Sequence, residues 1–229
     1  MMPPVTRGVL VIVSSPSGAG KTTLTRRLLG EFGDRLQFSV SYTTRPMRAG
    51  EVDGRDYHFV TPAVFEGMVE RHEFAEYASV FNNRYGTAQA PIEVALGLGK
   101  DIIFDVDWQG GAALSARWPD DSLKIFILPP NLETLDARLR SRATDTPEVI
   151  ERRLRKAHEE LGHHVEYQHL IVNDELERAY AVLRAIYLTR RFGVVDRVDC
   201  TYPLGELART VEANRASQPD RHALALVGR

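Results

Sequence analysis

The segment at residues 15–23, SPSGAGKTT, combines the residue types that bind phosphate. Gly18 and Gly20 would let backbone N–H groups approach an anion without a Cβ in the way. Lys21 would bridge the β- and γ-phosphates of a nucleoside triphosphate, and the Thr22 hydroxyl would be a metal ligand, to Mg²⁺. The other residues of this predicted ATP-binding loop are Ser15, Pro16, Ser17, Ala19 and Thr23. The sequence therefore predicts that the loop binds the phosphates of ATP.

The first position of the loop departs from the usual GxxxxGK(S/T) pattern, because Ser15 stands where that pattern has a glycine. A residue that precedes proline is pushed toward extended backbone, which any L-residue adopts without strain. Glycine is needed only where φ is positive or a side chain would collide. Because Pro16 follows, we expect Ser15 to be compatible with a working loop.

The predicted elements around the loop are a strand before it and a helix after it. GVLVIVS, at residues 8–14, is apolar on both alternations, as a strand covered on both faces should be. A helix is predicted from Thr22 to Leu29, with Gly30 as its end. Further candidates for buried strands are QFSVSYT, DIIFDVD, LKIFILP and HLIVND. Apolar runs that alternate with stretches of helical period indicate an α/β fold with a mostly parallel central sheet.

Two segments interrupt this alternation. Residues 40–91 are rich in turns and short alternating pieces, including the hairpin-like FNNRYGT, which predicts a small mixed lobe. Residues 131–168 predict two helices joined by a tip at ATDT, with Thr146 as a candidate N-cap of the second. The core would then comprise residues 7–39, 92–130 and 169–204, followed by a polar, weakly patterned tail at 205–229.

Composition excludes several classes of function. Hydrophobic residues make up 43% and charged residues 26%, which is ordinary for a globular enzyme and argues against a disordered chain. The net charge of −2 gives no support for nucleic-acid binding, and no apolar run is long enough to span a membrane. The single cysteine, Cys200, favours a reducing compartment, so we expect a cytoplasmic protein. The sequence leaves open whether the protein forms a homo-oligomer.

The segments downstream of the loop resemble guanylate kinases. SYTTRPMRAGEVDGRDYHFV followed by EFAEYASVFNNRYGT is similar to the nucleotide-monophosphate lobe of that family, and DVDWQG, RLRSRATDTPEVIERRL and LIVNDELERA follow in the family's order. Such ordered motifs, covering about 200 residues, are far more specific than the loop alone. The resemblance implies a three-layer P-loop kinase with an inserted mixed α/β GMP-binding lobe and a helical lid. It also implies phosphoryl transfer from ATP to GMP, and to dGMP, with Mg²⁺.

The resemblance assigns a site for the GMP phosphate. In that family a serine, two arginines and a tyrosine hold this group, and here they match Ser41, Arg45, Arg48 and Tyr57. Guanidinium forks satisfy phosphate oxygens bidentately, and a tyrosine hydroxyl adds an orienting donor. Glu51 would hold the arginines in place. For Tyr57, core packing beside Phe59 on one strand face is a competing interpretation.

The resemblance also assigns the residues that read the base, Glu76 and Thr87, with Tyr85 beside them. Guanine presents N1–H and N2–H₂ donors on one edge, and a carboxylate accepts from both, whereas adenine lacks this donor pair. Thr87 stands where the family often has serine, which keeps the hydroxyl. Because a buried carboxylate without its ligand is costly, we expect a partly open site that closes on GMP.

Asp105 and Asp107 follow the apolar strand IIF, an arrangement that in P-loop enzymes places acid near Mg²⁺ or its waters. The resemblance implies GMP contacts for both aspartates as well, and the sequence does not divide the two roles. The nucleophile would be a phosphate oxygen that is already anionic, so no general base is needed. His163 and His164 are accordingly interpreted as structural or solvent-facing.

The family's lid arginines match Arg138, Arg142 and Arg153, which flank the ATDT tip. They would neutralise charge on the phosphoryl group in transfer. The predicted catalytic residues are Lys21, Arg45, Arg138, Arg142 and Arg153.

Two alternatives share parts of this pattern. A guanylate-kinase-like scaffold domain binds peptides without catalysis, but it typically has a degraded loop, whereas Gly18, Gly20 and Lys21 are intact here. Ribose bisphosphate phosphokinase has a similar core but no guanine to read. The pairing of Glu76 with Tyr85 and Thr87 favours GMP.

Overall fold

The computed structural model describes residues 6–80, 82–140, 147–193 and 202–228. Its strands are β1 (Leu10–Ser14), β2 (Leu36–Phe38), β3 (Tyr42–Thr43), β4 (His58–Phe59), β5 (Phe74–Val80), β6 (Asn83–Ala88), β7 (Asp101–Asp105), β8 (Ser122–Leu128) and β9 (His169–Val172). Its helices are α1 (Lys21–Phe32), α2 (Pro62–Glu70), α3 (Gln89–Gly97), α4 (Trp108–Arg117), α5 (Leu132–Arg140), α6 (Pro147–Gly162), α7 (Leu176–Phe192), α8 (Leu204–Ala216) and α9 (Pro219–Val227). A short 3₁₀ helix, His163–Glu166, follows α6.

The central sheet has the strand order β2-β7-β1-β8-β9, and every pairing in it is parallel. Side chains of β1 alternate between two hydrophobic clusters. Val11 and Val13 face a cluster that includes residues of α1, α7 and α8, while Leu10 and Ile12 face one with residues of α3 and α4. All five residues of β1 are therefore buried, and the α/β prediction of a parallel sheet between two helical layers is confirmed.

A second sheet, of order β4-β3-β6-β5, is formed within the turn-rich segment. Its β3–β4 pair is parallel, and its β3–β6 and β5–β6 pairs are antiparallel. Helix α2 covers it with Phe65, whose ring stacks on Phe74 at 4.5 Å between centroids. Gly86 of β6 lies under this pair, where a Cβ would come within about 3 Å of both rings. The fold thus contains the mixed α/β insertion that the sequence predicted.

Two local predictions were wrong. QFSVSYT is not one strand, because its first part (β2) belongs to the central sheet and its second part (β3) to the second sheet. Helix α1 does not end at Gly30 but continues to Phe32 with Gly33 as its C-cap. A Cβ at Gly30 would meet no atom within 4 Å, and Phe32 packs into the core. Burial of that ring outweighs the cost of a helical glycine. The candidate N-cap Thr146 lies outside the described residues.

The end of the chain is the largest difference from expectation. Residues 205–229 were predicted as a polar, weakly patterned tail, but the structure contains helices α8 and α9 there. Leu207 and Val211 of α8 join the cluster beneath α7. Ala223 and Leu226 of α9 pack with residues of β8 and β9. Each helix buries only two or three side chains, so its periodic signal is short and was missed.

Within the described part of the chain, we find no helix that is both long and apolar enough to cross a membrane.

Candidate active site

A cavity of about 840 Å³ opens at the carboxyl ends of β1 and β7. Ligands of parallel α/β sheets bind at this edge, where loops follow the strands. The cavity is lined by the predicted phosphate loop, by residues 105–107, by Arg138 of α5, by Glu160 of α6 and by the segment after β9. The topology therefore brings together side chains that are up to about 160 residues apart in sequence.

The backbone of the loop has the conformation that its glycines allow. Gly18 and Gly20 have φ values of 92° and 95°, in the left-handed region that favours glycine. Ser15 does not have a positive φ, and its Oγ donates to the carbonyl of Pro16 at 3.0 Å. The expectation that serine fits the first loop position without backbone strain is therefore confirmed.

Lys21, the first residue of α1, forms an ion pair with Asp105 and donates from Nζ to the carbonyl of Val106 at 3.3 Å. Thr22 Oγ1 lies 3.4 Å from Asp105 Oδ2, so the hydroxyl and a carboxylate oxygen converge at one edge of the cavity. Asp107 has a different task in the fold, because its Oδ1 accepts the Gly110 N–H and caps α4. The two aspartates thus face different partners: Asp105 contacts the loop, and Asp107 orients a helix.

The structure adds two residues to which the sequence analysis gave no role. Asn173 is buried after β9 and donates from Nδ2 to the carbonyl of Ala19 at 2.7 Å. Its amide lies so close to Gly20 that a Cβ there would be 2.3 Å from Nδ2. Glu160 accepts the Ser17 N–H at Oε2, at 3.2 Å. Asn173 belongs to a quoted motif, which was the available signal, whereas Glu160 lies among the many charges of α6.

In the second lobe, Arg45 and Glu51 form a bidentate ion pair, with N–O distances of 3.0 and 2.7 Å. Glu51 also accepts the backbone N–H of Arg48 at 2.8 Å. These contacts hold the pKa of Glu51 below its usual range, with Arg45 as the main cause, and raise the pKa of Arg45. Glu51 thus fixes the Arg45 side chain and the Arg48 backbone, as expected of a residue that holds the arginines.

Tyr57 packs between aromatic rings, with centroids 5.9 Å from those of both Phe59 and Tyr85. The Arg45 guanidinium lies 5.4 Å from the centroid of the Tyr57 ring. Burial raises the pKa of the Tyr57 phenol. Together with Ser41 and Asp105, Tyr57 also lines a small cavity of about 60 Å³. Tyr57 therefore both packs against neighbouring rings and lines this small cavity.

Glu76 and Thr87 face each other across the antiparallel pair of β5 and β6. Thr87 Oγ1 donates to Glu76 Oε1 at 2.6 Å and lies 3.1 Å from Ser41 Oγ. Because the Thr87 proton points to the carboxylate, Ser41 is the donor in the second contact. Burial raises the pKa of Glu76, and the nearby Asp107 raises it further, while Thr87 opposes the shift. A half-buried carboxylate with one oxygen held by a hydroxyl leaves its other oxygen able to accept from a ligand.

The lid residues are only partly within the described chain. Arg138 Nη1 lies 3.4 Å from the carbonyl of Gly18, so α5 contacts the loop directly. Arg153 lies on α6, and Arg142 lies outside the described residues. His163 stacks on Trp108 at 3.6 Å between ring centroids, and buried His164 contacts the Leu161 carbonyl at 2.8 Å. The lid is thus anchored at its base by packing and by Arg138.

Comparison with known proteins extends this picture. The family model described as guanylate kinase matches residues 7–189. Guanylate kinase of Hyphomonas neptunium is 49% identical over 193 residues, covering 84% of this chain and 88% of that protein. Guanylate kinase of Rhodopseudomonas palustris is 51% identical over 180 residues, covering 79% and 81%. The crystal structure of guanylate kinase from Anaplasma phagocytophilum aligns with a TM-score of 0.65 at 28% identity, covering 90% and 96%. The chain belongs to the guanylate kinase family.

Proposed function

We infer that this protein is an ATP-dependent guanylate kinase, which transfers the γ-phosphoryl group of ATP to GMP and produces ADP and GDP. The observation that carries the inference is that one molecule combines a glycine-containing loop after β1 of the central sheet with the hydrogen-bonded pair of Glu76 and Thr87 on the second sheet. A loop alone is common to many nucleotide enzymes, and the acceptor residues supply the specificity.

For the donor, we propose that residues 15–23 bind ATP and that Lys21 contacts its β- and γ-phosphates. The left-handed glycines and the N-terminus of α1 support this assignment, because both direct backbone N–H groups toward an anion. The γ-phosphate must displace the Lys21 contact with Asp105 or share it. Since the lysine is already held at the cleft, little reorganisation is needed when charge develops.

We propose that Mg²⁺ binds together with ATP, because the oxygen atoms at this edge of the cleft suit that ion. Thr22 Oγ1 and Asp105 Oδ2 converge as two hard oxygen ligands, and Mg²⁺ usually takes few protein ligands alongside phosphates and waters. The described residues hold no cluster of three or more His, Cys, Asp or Glu side chains, so a dedicated all-protein cage is not the expected site. When bound, Mg²⁺ would neutralise charge on the phosphate oxygens.

For the acceptor, we propose that Ser41, Arg45, Arg48 and Tyr57 hold the GMP phosphate, that Glu76 and Thr87 read guanine, and that Tyr85 and Asp107 complete the pocket. The Arg45–Glu51 pair supports this role, because the bidentate contact holds the Arg45 guanidinium in one orientation beside Tyr57. We also propose that dGMP is accepted, because none of the roles proposed for these residues involves the ribose 2′-hydroxyl.

Transfer requires the acceptor oxygen to lie in line with the γ-phosphorus. The two substrates are bound by different sheets, so the second lobe (about residues 40–91) and the lid (about 131–168) must close on the core. We propose that Arg138, Arg142 and Arg153 then surround the transferring group and that closure excludes water. No side chain needs to remove a proton, because the attacking phosphate oxygen is anionic.

The alternatives remain separable by experiment. A peptide-binding scaffold would show no turnover, and a ribose bisphosphate kinase would not discriminate between bases.

We also propose that the enzyme is cytoplasmic, because a chain with a single cysteine is typical of a reducing compartment.

The test is a coupled assay of ADP release with GMP, dGMP, AMP, UMP and ribose 1,5-bisphosphate as acceptors. We expect turnover with GMP and dGMP, and at least about 10²-fold lower kcat/KM for the others, because a site built to bind donor groups rejects an analogue that lacks them. Selective turnover of AMP, UMP or the sugar phosphate would contradict the proposed function.

Two substitutions test at which positions the loop requires glycine. Ser15→Gly is expected to change the Kd for ATP by a few-fold at most, because Ser15 needs no positive φ. Gly20→Ala is expected to abolish most ATP binding, because alanine at φ 95° is strained and its Cβ would lie 2.3 Å from Asn173 Nδ2. Titration of each variant with ATP measures both effects. The prediction is wrong if the serine variant proves the weaker binder.

A further inference from the structure

Three consecutive residues of the phosphate loop are each held by a different part of the chain. The Ser17 N–H donates to Glu160 Oε2 of α6 at 3.2 Å, and the Gly18 carbonyl lies 3.4 Å from Arg138 Nη1 of α5. The Ala19 carbonyl accepts from Asn173 Nδ2, after β9, at 2.7 Å. Each contact fixes one peptide plane, so the loop is oriented before a phosphate arrives.

Glu160 differs from the other two because it brings a negative charge to a site for a triphosphate. It is 8% exposed, and its Oε1 lies 3.8 Å from Lys156 Nζ on the same helix. Lys21 and Asp107 also interact with it electrostatically. Burial raises the pKa of Glu160, while Lys156, the Ser17 N–H and Lys21 oppose this shift. A buried carboxylate beside an anion site is costly unless its oxygens accept hydrogen bonds, and the Ser17 N–H supplies one.

Helix α6 is firmly attached where Glu160 lies. Ala157 and Leu161, on either side of it along the helix, are fully buried in two hydrophobic clusters. Nearer the start of α6, the side chains of Glu151 and Arg155 are about 70% exposed. The Ser17 N–H is thus tied to the fixed end of the lid helix.

We propose that Glu160 is a positioning residue for ATP: its carboxylate oxygen holds the Ser17 peptide so that the loop presents its amides to the phosphates. The proposal rests on the proposed function of the loop. The hydrogen bond acts on the donor side, because Ser17 belongs to the phosphate loop and the residues assigned to the GMP phosphate and to guanine lie on the second lobe. Loss of the Glu160 side chain should therefore weaken the binding of ATP and leave the binding of GMP unaffected.

The test compares Glu160→Ala, which removes the acceptor, with Glu160→Gln, which keeps a carbonyl oxygen of the same reach. Glu159→Gln is the matched control, because Glu159 is the exposed neighbour on the same helix. The full chain of each variant is titrated with ATP alone and, separately, with GMP alone. We expect Glu160→Ala to raise the Kd for ATP about tenfold, since the Ser17 peptide loses the acceptor that orients it. Glu160→Gln should stay within about threefold of the parent protein, because the acceptor is retained.

Three results would overturn the proposal: unchanged ATP affinity in Glu160→Ala, an equal loss of GMP affinity in that variant, or a glutamine variant as weak as the alanine variant. If Glu160→Ala does not fold, as judged by thermal unfolding, Glu160→Asp replaces it, because the shorter side chain withdraws the oxygen from Ser17. Failure of the proposed function has a different signature, because the parent protein would then bind ATP without turning over GMP.

Discussion

Lys21→Ala is expected to lower kcat by about 10²–10³-fold, the usual cost of removing one preorganised group that stabilises developing charge. In the structure the Lys21 ammonium is held at the mouth of the cleft by Asp105 and by the carbonyl of Val106. Its charge would act on the phosphoryl group in transfer more than on bound ATP, so kcat should fall further than KM for ATP rises. Steady-state kinetics with saturating GMP measure both.

Two controls give this result its meaning. Lys100→Ala removes an exposed lysine just before β7, at the opposite end of that strand from Asp105, and should leave kcat unchanged. Lys21→Arg keeps the charge but replaces a compact ammonium with a planar fork, so only partial recovery is expected. A Lys21→Ala variant that kept half of the parent kcat would contradict the assignment of this lysine.

The sequence predicted the parts of the fold whose signals are local. The strand β1 is recognisable because all five of its residues are buried between two helical layers, which demands an unbroken apolar run. The loop is recognisable because its glycines, lysine and threonine must lie close together in sequence to surround a phosphate. In both cases the physical requirement acts on residues that are close in sequence, so a short segment is enough to reveal it.

What the sequence did not predict depends on contacts between distant residues. Glu160 and Asn173 hold loop residues that precede them by 143 and 154 positions. Nothing in the pattern of α6 distinguishes Glu160 from the solvated charges beside it. Helix α8 was missed for a related reason, because only Leu207 and Val211 are buried there and the partner that buries them lies elsewhere in the chain.

The acceptor site was only partly predictable from the sequence. Ser41 lies just before β3 and Thr87 lies on β6, and their residue types alone do not predict the hydrogen-bonded series from Ser41 through Thr87 to Glu76. Their assignment depended on resemblance to a family. The pairing of β3 and β5 with β6 explains why the three side chains meet. Glu76 lies on β5, Thr87 lies on the neighbouring strand β6, and Ser41 lies just before β3 on the other side of β6.

Glu76→Gln is expected to lower kcat/KM for GMP by about 10²-fold, because an amide replaces one charged acceptor with a donor that faces a donor of guanine. The glutamine amide pairs well with adenine, which offers one acceptor and one donor on that edge. The preference for GMP over AMP should therefore shrink by more than the loss for GMP alone. Kinetics with both acceptors measure the ratio, and Glu73→Gln is the matched control, since Glu73 lies exposed in an ion pair with Arg71.

Stability separates a lost contact with guanine from a damaged fold. Burial raises the folded-state pKa of Glu76 above its usual value, so folding favours the protonated carboxyl. At neutral pH the ionised carboxylate therefore destabilises the fold, and this cost is relieved as the pH falls through the raised pKa toward the ordinary carboxyl value. Glutamine is neutral and still accepts from Thr87, so Glu76→Gln should unfold at the same or a higher temperature than the parent protein at pH 7. A variant with a lower Tm and an unchanged GMP preference would show that Glu76 supports the lobe and does not read the base.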